Sequence, residues 1–275
     1  MSLSRCSKFL ATAALSMLAA SFCGTASASA SADANALNTV EKGQITFAFR
    51  ADDKPVSFIK DDKPAGFMVD LTTEIAQRIH LQPQYVATDF SSMVPSVSSH
   101  RYDSAAFAVL VTPAREKVVN FTTPVNFAQA RLVSLKKAPL QTVKGAAGKT
   151  VAITVGSALI PVLQKIEPTI TVRTFPNIAA STAALKTGQV SGLFTGFEAS
   201  SGLLKRNPDF QASESVMSGK GALPVAKDRP ALLKAMNSAL AGIIADGTYM
   251  KLYSKWYPGE SEPAGMAQEY PNFKK

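Results

Sequence analysis

The chain contains few of the residue types that support thiol, redox or metal chemistry. Its 275 residues include only two cysteines, two histidines and one tryptophan. Cys6 and Cys23 both lie near the N-terminus, so the rest of the chain has neither a disulfide nor a thiol nucleophile. His80 and His100 are far apart and have no cysteine or carboxylate partners at ligand spacing. We therefore expect no metal site and no other cofactor.

Long apolar runs are also missing after the N-terminal segment, where no stretch approaches the roughly 18 apolar residues of a membrane span. At the N-terminus, Arg5 and Lys8 precede a short apolar run over residues 9–22. Two overlapping Ala-x-Ala triplets follow within residues 26–30. This order is typical of a secretory signal peptide, so we predict that residues 1–30 are removed and that the mature protein is periplasmic.

The remaining composition is that of an ordinary globular protein, with 46% hydrophobic and 18% charged residues. The formal net charge is +9, and it falls to +7 when Arg5 and Lys8 leave with the signal peptide. The lysines are scattered singly and in pairs rather than in a block. We therefore expect a solubilising surface with some attraction for anionic solutes, and no nucleic-acid partner.

Strand and helix patterns alternate along the chain in two successive series. The first series is a strand at 45–49, a helix with an apolar stripe of Leu71, Ile75 and Ile79, a strand at 84–87, a helix at 92–99 and a strand at 105–109. The second is a strand at 151–154, a helix opened by Gly156 and Ser157, a strand at 169–175, a helix capped by Asn177 and a strand at 190–194, followed by a helix at 231–245. This alternation predicts parallel sheets covered on both faces.

Three motifs resemble a known family. Residues 66–71 read GFMVDL, residues 110–124 read LVTPAREKVVNFTTP, and residues 246–256 begin with DGTY and end with KW. Together they resemble the bacterial extracellular solute-binding proteins of family 3, which deliver polar amino acids to ABC importers. The resemblance covers nearly all of residues 43–257.

The resemblance implies an α/β protein with the two-lobed periplasmic-binding-protein fold (type II). Each lobe would be a mixed, mainly parallel sheet with flanking helices, and the chain would cross twice between lobes through hinge segments. Lobe 1 would comprise residues 36–126 and 222–275, and lobe 2 residues 127–221. The implied function is that of a monomeric, non-catalytic receptor. It would close on a small carboxylate-bearing solute, an amino acid or a derivative, and present itself to the membrane permease of an ABC transporter.

The resemblance also points to Arg115, which in the family grips the ligand carboxylate, because a planar guanidinium matches a carboxylate with two hydrogen bonds. Ala108, Leu110 and Thr112 precede it near the end of a predicted strand, where open parallel sheets bind ligands. Leu110 stands where a serine or threonine is common in the family. Phe90 occupies a position at which the family stacks an aromatic ring on the ligand; the alternative is an ordinary core residue.

Helix chemistry adds a second candidate anion site. Gly156, Ser157 and Ala158 lie between a predicted strand and a predicted helix, and helix N-termini favour anions. A carboxylate held between Arg115 and the amides of Ser157 and Ala158 would join the two lobes. The alternative is a plain strand-to-helix turn with a capping serine.

Two departures from the family pattern bear on the ligand. Gly196 stands where the family places an aspartate that pairs with the ligand ammonium, so either Glu198 reaches in or the ligand is not an ordinary α-amino acid. Arg50 and Asp53 stand where the family offers an acid and an aromatic lid; Arg50 would meet a second anionic group or be a solvated loop charge. We expect a cleft with excess positive charge and a solute whose nitrogen is absent, blocked or displaced from the α-carbon.

Two other functions stay open at this point. Some relatives of the family resemble cyclohexadienyl dehydratases, which need a general acid in the cleft, and Glu198 is the candidate. The chain would otherwise be a periplasmic accessory protein that has lost ligand affinity. No Ser-His-Asp, HExxH or phosphate-loop pattern indicates a hydrolase or a kinase.

We predict that the exported protein begins shortly after Ala28 or Ala30 and carries no lipid. Phe22 directly precedes Cys23, where a lipoprotein signal needs a small residue. Intact-mass analysis of periplasmic material measures the outcome. A chain that begins at Cys23 with an added acyl mass would contradict the prediction.

Overall fold

The computed structural model describes residues 37–274, and the predicted signal peptide lies outside the described residues. The described chain forms two α/β lobes, which confirms the fold predicted from the sequence. None of the helices within residues 37–274 combines the length and the apolar character needed to cross a bilayer.

Lobe 1 is built on a parallel sheet of order β5-β1-β6, with a small antiparallel sheet of order β2-β3-β4 beside it. Its strands are β1 (Gln44–Phe49), β2 (Asp52–Asp53), β3 (Ser57–Lys60), β4 (Lys63–Ala65), β5 (Gln82–Ala87), β6 (Ser104–Ala105), β7 (Val109–Leu110) and β8 (Val119–Phe121). Its first helices are α1 (Phe67–Arg78), α2 (Phe90–Ser98) and α3 (Pro113–Glu116).

Lobe 2 contains a sheet of order β11-β10-β12-β9-β14-β7, with β13 also paired to β9. Its strands are β9 (Asn126–Leu135), β10 (Thr150–Thr154), β11 (Thr171–Phe175), β12 (Gly192–Gly196), β13 (Phe210–Ala212) and β14 (Val216–Ala222). Its helices are α4 (Leu159–Ile166), α5 (Ile178–Lys186) and α6 (Phe197–Arg206), with one 3₁₀ turn at Lys144–Ala146. β10 is parallel to β11 and β12, whereas β9 is antiparallel to its neighbours.

The chain then returns to lobe 1. Strand β15 (Pro224–Ala226) pairs with β8, and it is followed by α7 (Pro230–Ala245), α8 (Thr248–Trp256) and α9 (Met266–Glu269). The predicted lobe boundaries, at 126/127 and 221/222, fall at the start of β9 and near the end of β14, which are antiparallel neighbours. That the two lobes move as separate units with these boundaries stays a prediction.

Each lobe has its own apolar core. In lobe 1, Leu71 and Ile75 of the predicted helical stripe are fully buried against the sheet and α7, and Ile79 caps the helix. In lobe 2, two clusters cover opposite faces of the sheet, one around Ile153 and the other around Leu193. Burial on both faces explains why these strands are apolar runs rather than alternating patterns.

The GFMVDL motif joins two parts of the chain that are distant in sequence. Gly66 has φ +126°, and a Cβ there would lie 2.5 Å from the carbonyl oxygen of Val56, so only glycine fits at the start of α1. Asp70 accepts hydrogen bonds from the Lys255 ammonium at 2.6 Å and from the Trp256 indole at 2.7 Å. The N-terminal and C-terminal motifs are therefore bound to each other.

The structure corrects three predicted elements. The strand predicted at 105–109 is split, because β6 pairs with β1 in lobe 1 whereas β7 pairs with β14. The helix after β10 begins only at Leu159, because Gly156 has φ +76° and Ser157 N–H turns back to Thr154 O. The strand predicted at 190–194 lies two residues further along the chain, at Gly192–Gly196 (β12).

We predict that Asp103→Asn strongly destabilises lobe 1. Asp103 is fully buried, accepts the Thr46 and Val40 amides at 2.8 Å, and pairs with the buried Arg229. Removing one partner of a buried pair costs about 3 to 5 kcal/mol, since the other charge stays buried. Urea unfolding measures the loss of stability.

Asp228→Asn is the control, because Asp228 pairs with His100 at the surface and such pairs contribute about 0 to 1 kcal/mol. Equal effects of both variants would contradict the prediction.

Candidate functional site

A single cavity between the lobes gathers all the predicted site residues except Thr112. It has about 950 Å³ of empty volume, counted out to its open mouth. The predicted residues that line it are Arg50, Asp53, Phe90, Ala108, Leu110, Arg115, Ser157, Ala158 and Glu198. Thr112 instead caps α3, where its hydroxyl accepts the Arg115 amide at 3.3 Å and so fixes the backbone that carries the arginine.

The Arg115 guanidinium spans the cleft. Its Nη1 donates to Leu110 O at 2.8 Å in lobe 1, and its Nη2 donates to Gly156 O at 3.0 Å in lobe 2. The Phe90 ring centroid lies 5.5 Å from the guanidinium carbon. Burial lowers the pKa of Arg115, but an arginine in a protein stays protonated. Among the described residues no carboxylate pairs with it, so the charge is offset only by carbonyl dipoles and the ring face.

The lobe 2 side of this contact requires glycine. Gly156 has φ +76°, and a Cβ on it would lie 3.0 Å from the Cα of Ser91 at the start of α2. This approach brings a lobe 2 loop directly against lobe 1. The geometry corrects one part of the predicted anion site, because Ser157 N–H donates to Thr154 O at 3.1 Å and the Ser157 hydroxyl accepts from Leu159 N at 3.2 Å. The Ala158 amide and the hydroxyl hydrogen of Ser157 are the donors that this edge retains.

Arg50 is neither a solvated loop charge nor an unpaired cation. It is 5% exposed, and it contacts Asp52 at 3.1 Å and Asp53 at 3.6 Å. The second oxygen of Asp52 accepts the Ala179 amide at 3.2 Å, at the start of α5 in lobe 2. The expectation that Arg50 meets a second anionic group of the ligand is therefore wrong, because two aspartates of the chain already neutralise it.

Glu198 reaches into the cavity beside Gly196. It stands in the first turn of α6, and its Oε2 lies 3.8 Å from the place where a Cβ on Gly196 would be. Its Oε1 accepts from the Asn126 side-chain amide at 3.3 Å. The lining thus includes two arginines, Arg50 and Arg115, and two carboxylates, Asp53 and Glu198. By the number of residues, the expected excess of positive over negative groups in the cleft is wrong.

Burial sets the protonation behaviour of both carboxylates. It raises the pKa of Asp53, against the opposing effect of Arg50. It also raises the pKa of Glu198, where the Asn126 hydrogen bond acts in the opposite direction and the nearby Asp53 charge adds to the rise. Two carboxyl groups that resist ionisation in the same cavity are typical of a functional site.

Several residues that line the cavity carry no signal in the sequence. Asn126 begins β9, and the aromatic residues Phe67, Tyr253 and Tyr257 come from α1 and from the return segment of lobe 1. No local pattern distinguishes them, since tyrosines at four-residue spacing on α8 read as an ordinary core face. Only the packing of α8 against α1 brings them to the cleft.

Comparisons with known proteins show which family the chain is similar to. Residues 45–259 match the model of the family described as bacterial extracellular solute-binding proteins, family 3. The chain is 30% identical to "ABC transporter arginine-binding protein 1" of Escherichia coli K12 over 198 residues, 70% of this chain and 81% of that protein. It is 26% identical to "L-cystine-binding protein TcyJ" of the same organism, over 82% of this chain and 87% of that protein. A solved "ancestral arginine-binding protein bound to arginine" superposes with a TM-score of 0.74 at 26% identity, covering 78% of this chain and 98% of that one.

We predict that Glu198→Gln raises the melting temperature of the ligand-free protein at neutral pH. The folded-state pKa of Glu198 is raised, so its contribution to stability is present below its usual value of 4.5 and is lost as the pH rises through the folded value. Glutamine carries no buried charge, so the gain should vanish in acid. Thermal unfolding across this pH range, with the exposed Glu214→Gln as control, measures it. A gain of the same size at every pH, or a loss at neutral pH, would contradict the assignment.

Proposed function

Because the chain belongs to the bacterial extracellular solute-binding proteins of family 3, we propose that it is the solute receptor of an ABC importer. It is exported to the periplasm and works there as a monomer. Residues 127–221 close against residues 36–126 and 222–275 over a small carboxylate-bearing solute, an amino acid or a derivative. The closed form is what the membrane permease recognises.

The bridging position of Arg115 is the observation that carries this proposal. A guanidinium has five N–H groups, and the contacts to Leu110 O and Gly156 O use two of them. The remaining N–H groups can bind a carboxylate with two parallel hydrogen bonds. Because the same side chain touches both lobes, a carboxylate bound to it stabilises the closed arrangement, as ligands shift a protein toward the state they bind better.

The rest of the anchor fits a small anion. Phe90 lies against both Arg115 and the Phe107 ring, which is 5.3 Å away, so the aromatic wall holds the guanidinium plane in place. Ser157 and Ala158 line the same cavity from lobe 2. Similar proteins are named for arginine and for cystine, which supports an amino-acid-like solute without choosing between side chains.

One observation favours a second candidate, an enzyme on the same fold. Glu198 is a cavity carboxyl whose pKa is raised by burial, as a general acid requires. The similar proteins are named as binding proteins, however, and we give the receptor preference. Incubation with a cyclohexadienyl acid separates the two, because only the enzyme produces an aromatic product that absorbs in the ultraviolet. A protein that binds no carboxylate solute at all would indicate the accessory role.

We predict that Arg115→Lys weakens binding of the solute that most stabilises the mature protein in a thermal-shift screen of amino acids, dicarboxylates and amino-acid derivatives. Lysine keeps the charge but cannot form two parallel hydrogen bonds or bridge both carbonyls. Removal of one partner of a hydrogen-bonded charge pair in a closed cleft costs about 2 to 5 kcal/mol, and lysine, which keeps the charge, should lose no more than this. Calorimetry measures the change.

Arg173→Lys is the matched control. Arg173 also lies over a phenylalanine ring, that of Phe175 at 5.2 Å, but it is exposed on β11 and does not line the cavity. Wild-type affinity in the Arg115 variant, or an equal loss in both variants, would refute the carboxylate anchor.

A further inference from the structure

The cavity contains a second group of polar residues, whose hydrogen-bonding atoms lack partners. We call it the acceptor cluster: Asp53, Asn126, Glu198 and Tyr257, all of which line the cavity. They come from β2, β9, the first turn of α6 and the end of α8, so both lobes and one connecting strand contribute.

Two atoms of the cluster are buried without a partner. The hydroxyl of Tyr257 has no hydrogen bond within the described residues, although the side chain is only 2% exposed. The Oδ1 of Asn126 is likewise buried and unpaired there, while its amide nitrogen donates to Glu198. Buried polar atoms are nearly always satisfied in native proteins, and leaving one unsatisfied costs about 1 to 3 kcal/mol. Such atoms in a ligand cavity indicate a group that the ligand supplies.

The carboxylates of the cluster are also under-satisfied. The nearest cation to Asp53 is Arg50, at 3.6 Å, and Arg50 makes its shorter contact with Asp52. Within residues 37–274, the hydrogen-bond partners of Glu198 are the side-chain amide of Asn126 and its own backbone. Burial is the main cause that raises the pKa of Glu198 and that of Tyr257. The Asp53 charge adds to the rise at Glu198, and both carboxylates add to the rise at Tyr257, so these three groups lie close enough to interact.

Nearby arginines do not fill this need. Arg131 donates to Ser200 at 2.9 Å and to Ser201 at 2.6 Å, and its guanidinium lies 3.8 Å above the Phe197 ring. Arg206 donates to the carbonyl of Lys54 at 3.0 Å. Neither forms an ion pair with Asp53 or Glu198 within the described chain. At a longer distance, Arg206 attracts the Asp53 charge and Arg131 attracts the Glu198 charge.

We propose that the acceptor cluster binds a cationic group of the solute, a guanidinium in preference to an ammonium. This inference rests on the proposed function, in which the carboxylate of the same solute binds to Arg115. An ammonium offers three N–H donors and a guanidinium five, and the cluster presents two carboxylates, an amide oxygen and a hydroxyl. The apolar side chains of Phe67, Met68 and Phe194 also line the cavity and provide a surface for methylene groups between the two charged ends.

The test uses L-arginine and L-citrulline, which share a shape but differ in the charge of the terminal group. We expect wild-type protein to bind arginine at least about tenfold more tightly than citrulline, as a charge-assisted contact implies.

Glu198→Gln and Asp53→Asn should each bring the ratio of the two dissociation constants toward one. Tyr257→Phe should weaken arginine by about 3- to 10-fold, the effect of one lost hydrogen bond. 4-Guanidinobutyrate, which has the cation but no α-amine, should retain binding.

Tyr102→Phe is the control, because Tyr102 is also buried but does not line the cavity. Thermal unfolding verifies that each variant is folded. A wild-type protein that binds citrulline as tightly as arginine, that binds neither, or whose ratio survives all three cluster substitutions would overturn the inference. Failure of the proposed function looks different, since Arg115→Lys would then leave the binding of every carboxylate solute unchanged. Binding of citrulline that depends on Arg115 but shows no preference for arginine would sink the cationic site and leave the receptor intact.

Discussion

One half-buried cation, Arg115, joins the two lobes of this molecule. Its guanidinium donates to a carbonyl of lobe 1 and to a carbonyl of lobe 2, and no carboxylate of the described chain neutralises it. Neutral carbonyls offset only part of the cost of desolvating a charge. The arrangement is therefore most favourable when an anion enters the cleft. The surrounding features serve this geometry: Thr112 caps the short helix that carries the arginine, Phe90 backs the guanidinium, and Gly156 allows the lobes to approach.

Closure involves more than this one side chain. Asp52 accepts the Ala179 amide and Arg206 donates to the Lys54 carbonyl, so the rim of the cleft has polar contacts between the lobes on its other side. The two connecting strands, β9 and β14, are paired with each other, which restricts how the lobes can move apart. Residues after 259, where the family match ends, also touch these strands. Lys220 of β14 binds Glu269 at 3.0 Å, and Gly265 packs against the Phe127 ring of β9.

Local patterns were sufficient to predict the parts of the structure that local chemistry determines. The apolar stripe of α1 and the glycine before it, the cap of α5 at Asn177, and the Thr-Pro-x-Arg loop each depend on neighbours in sequence. Contacts between distant residues could not be predicted in this way. Asp52 accepts the Ala179 amide across 127 positions of sequence, and Asn126 meets Glu198 across 72 positions. Strands β6 and β7 looked like one strand because their pairing partners lie in different lobes.

A crystal structure of the mature protein with the solute that it retains through purification would show whether Arg115 is the carboxylate anchor. We expect a carboxylate in the cavity with both oxygens about 3 Å from the nitrogens of Arg115, in contact with both lobes. A solute bound in the cavity without a carboxylate at Arg115, or one that leaves this guanidinium bonded only to Leu110 and Gly156, would contradict it.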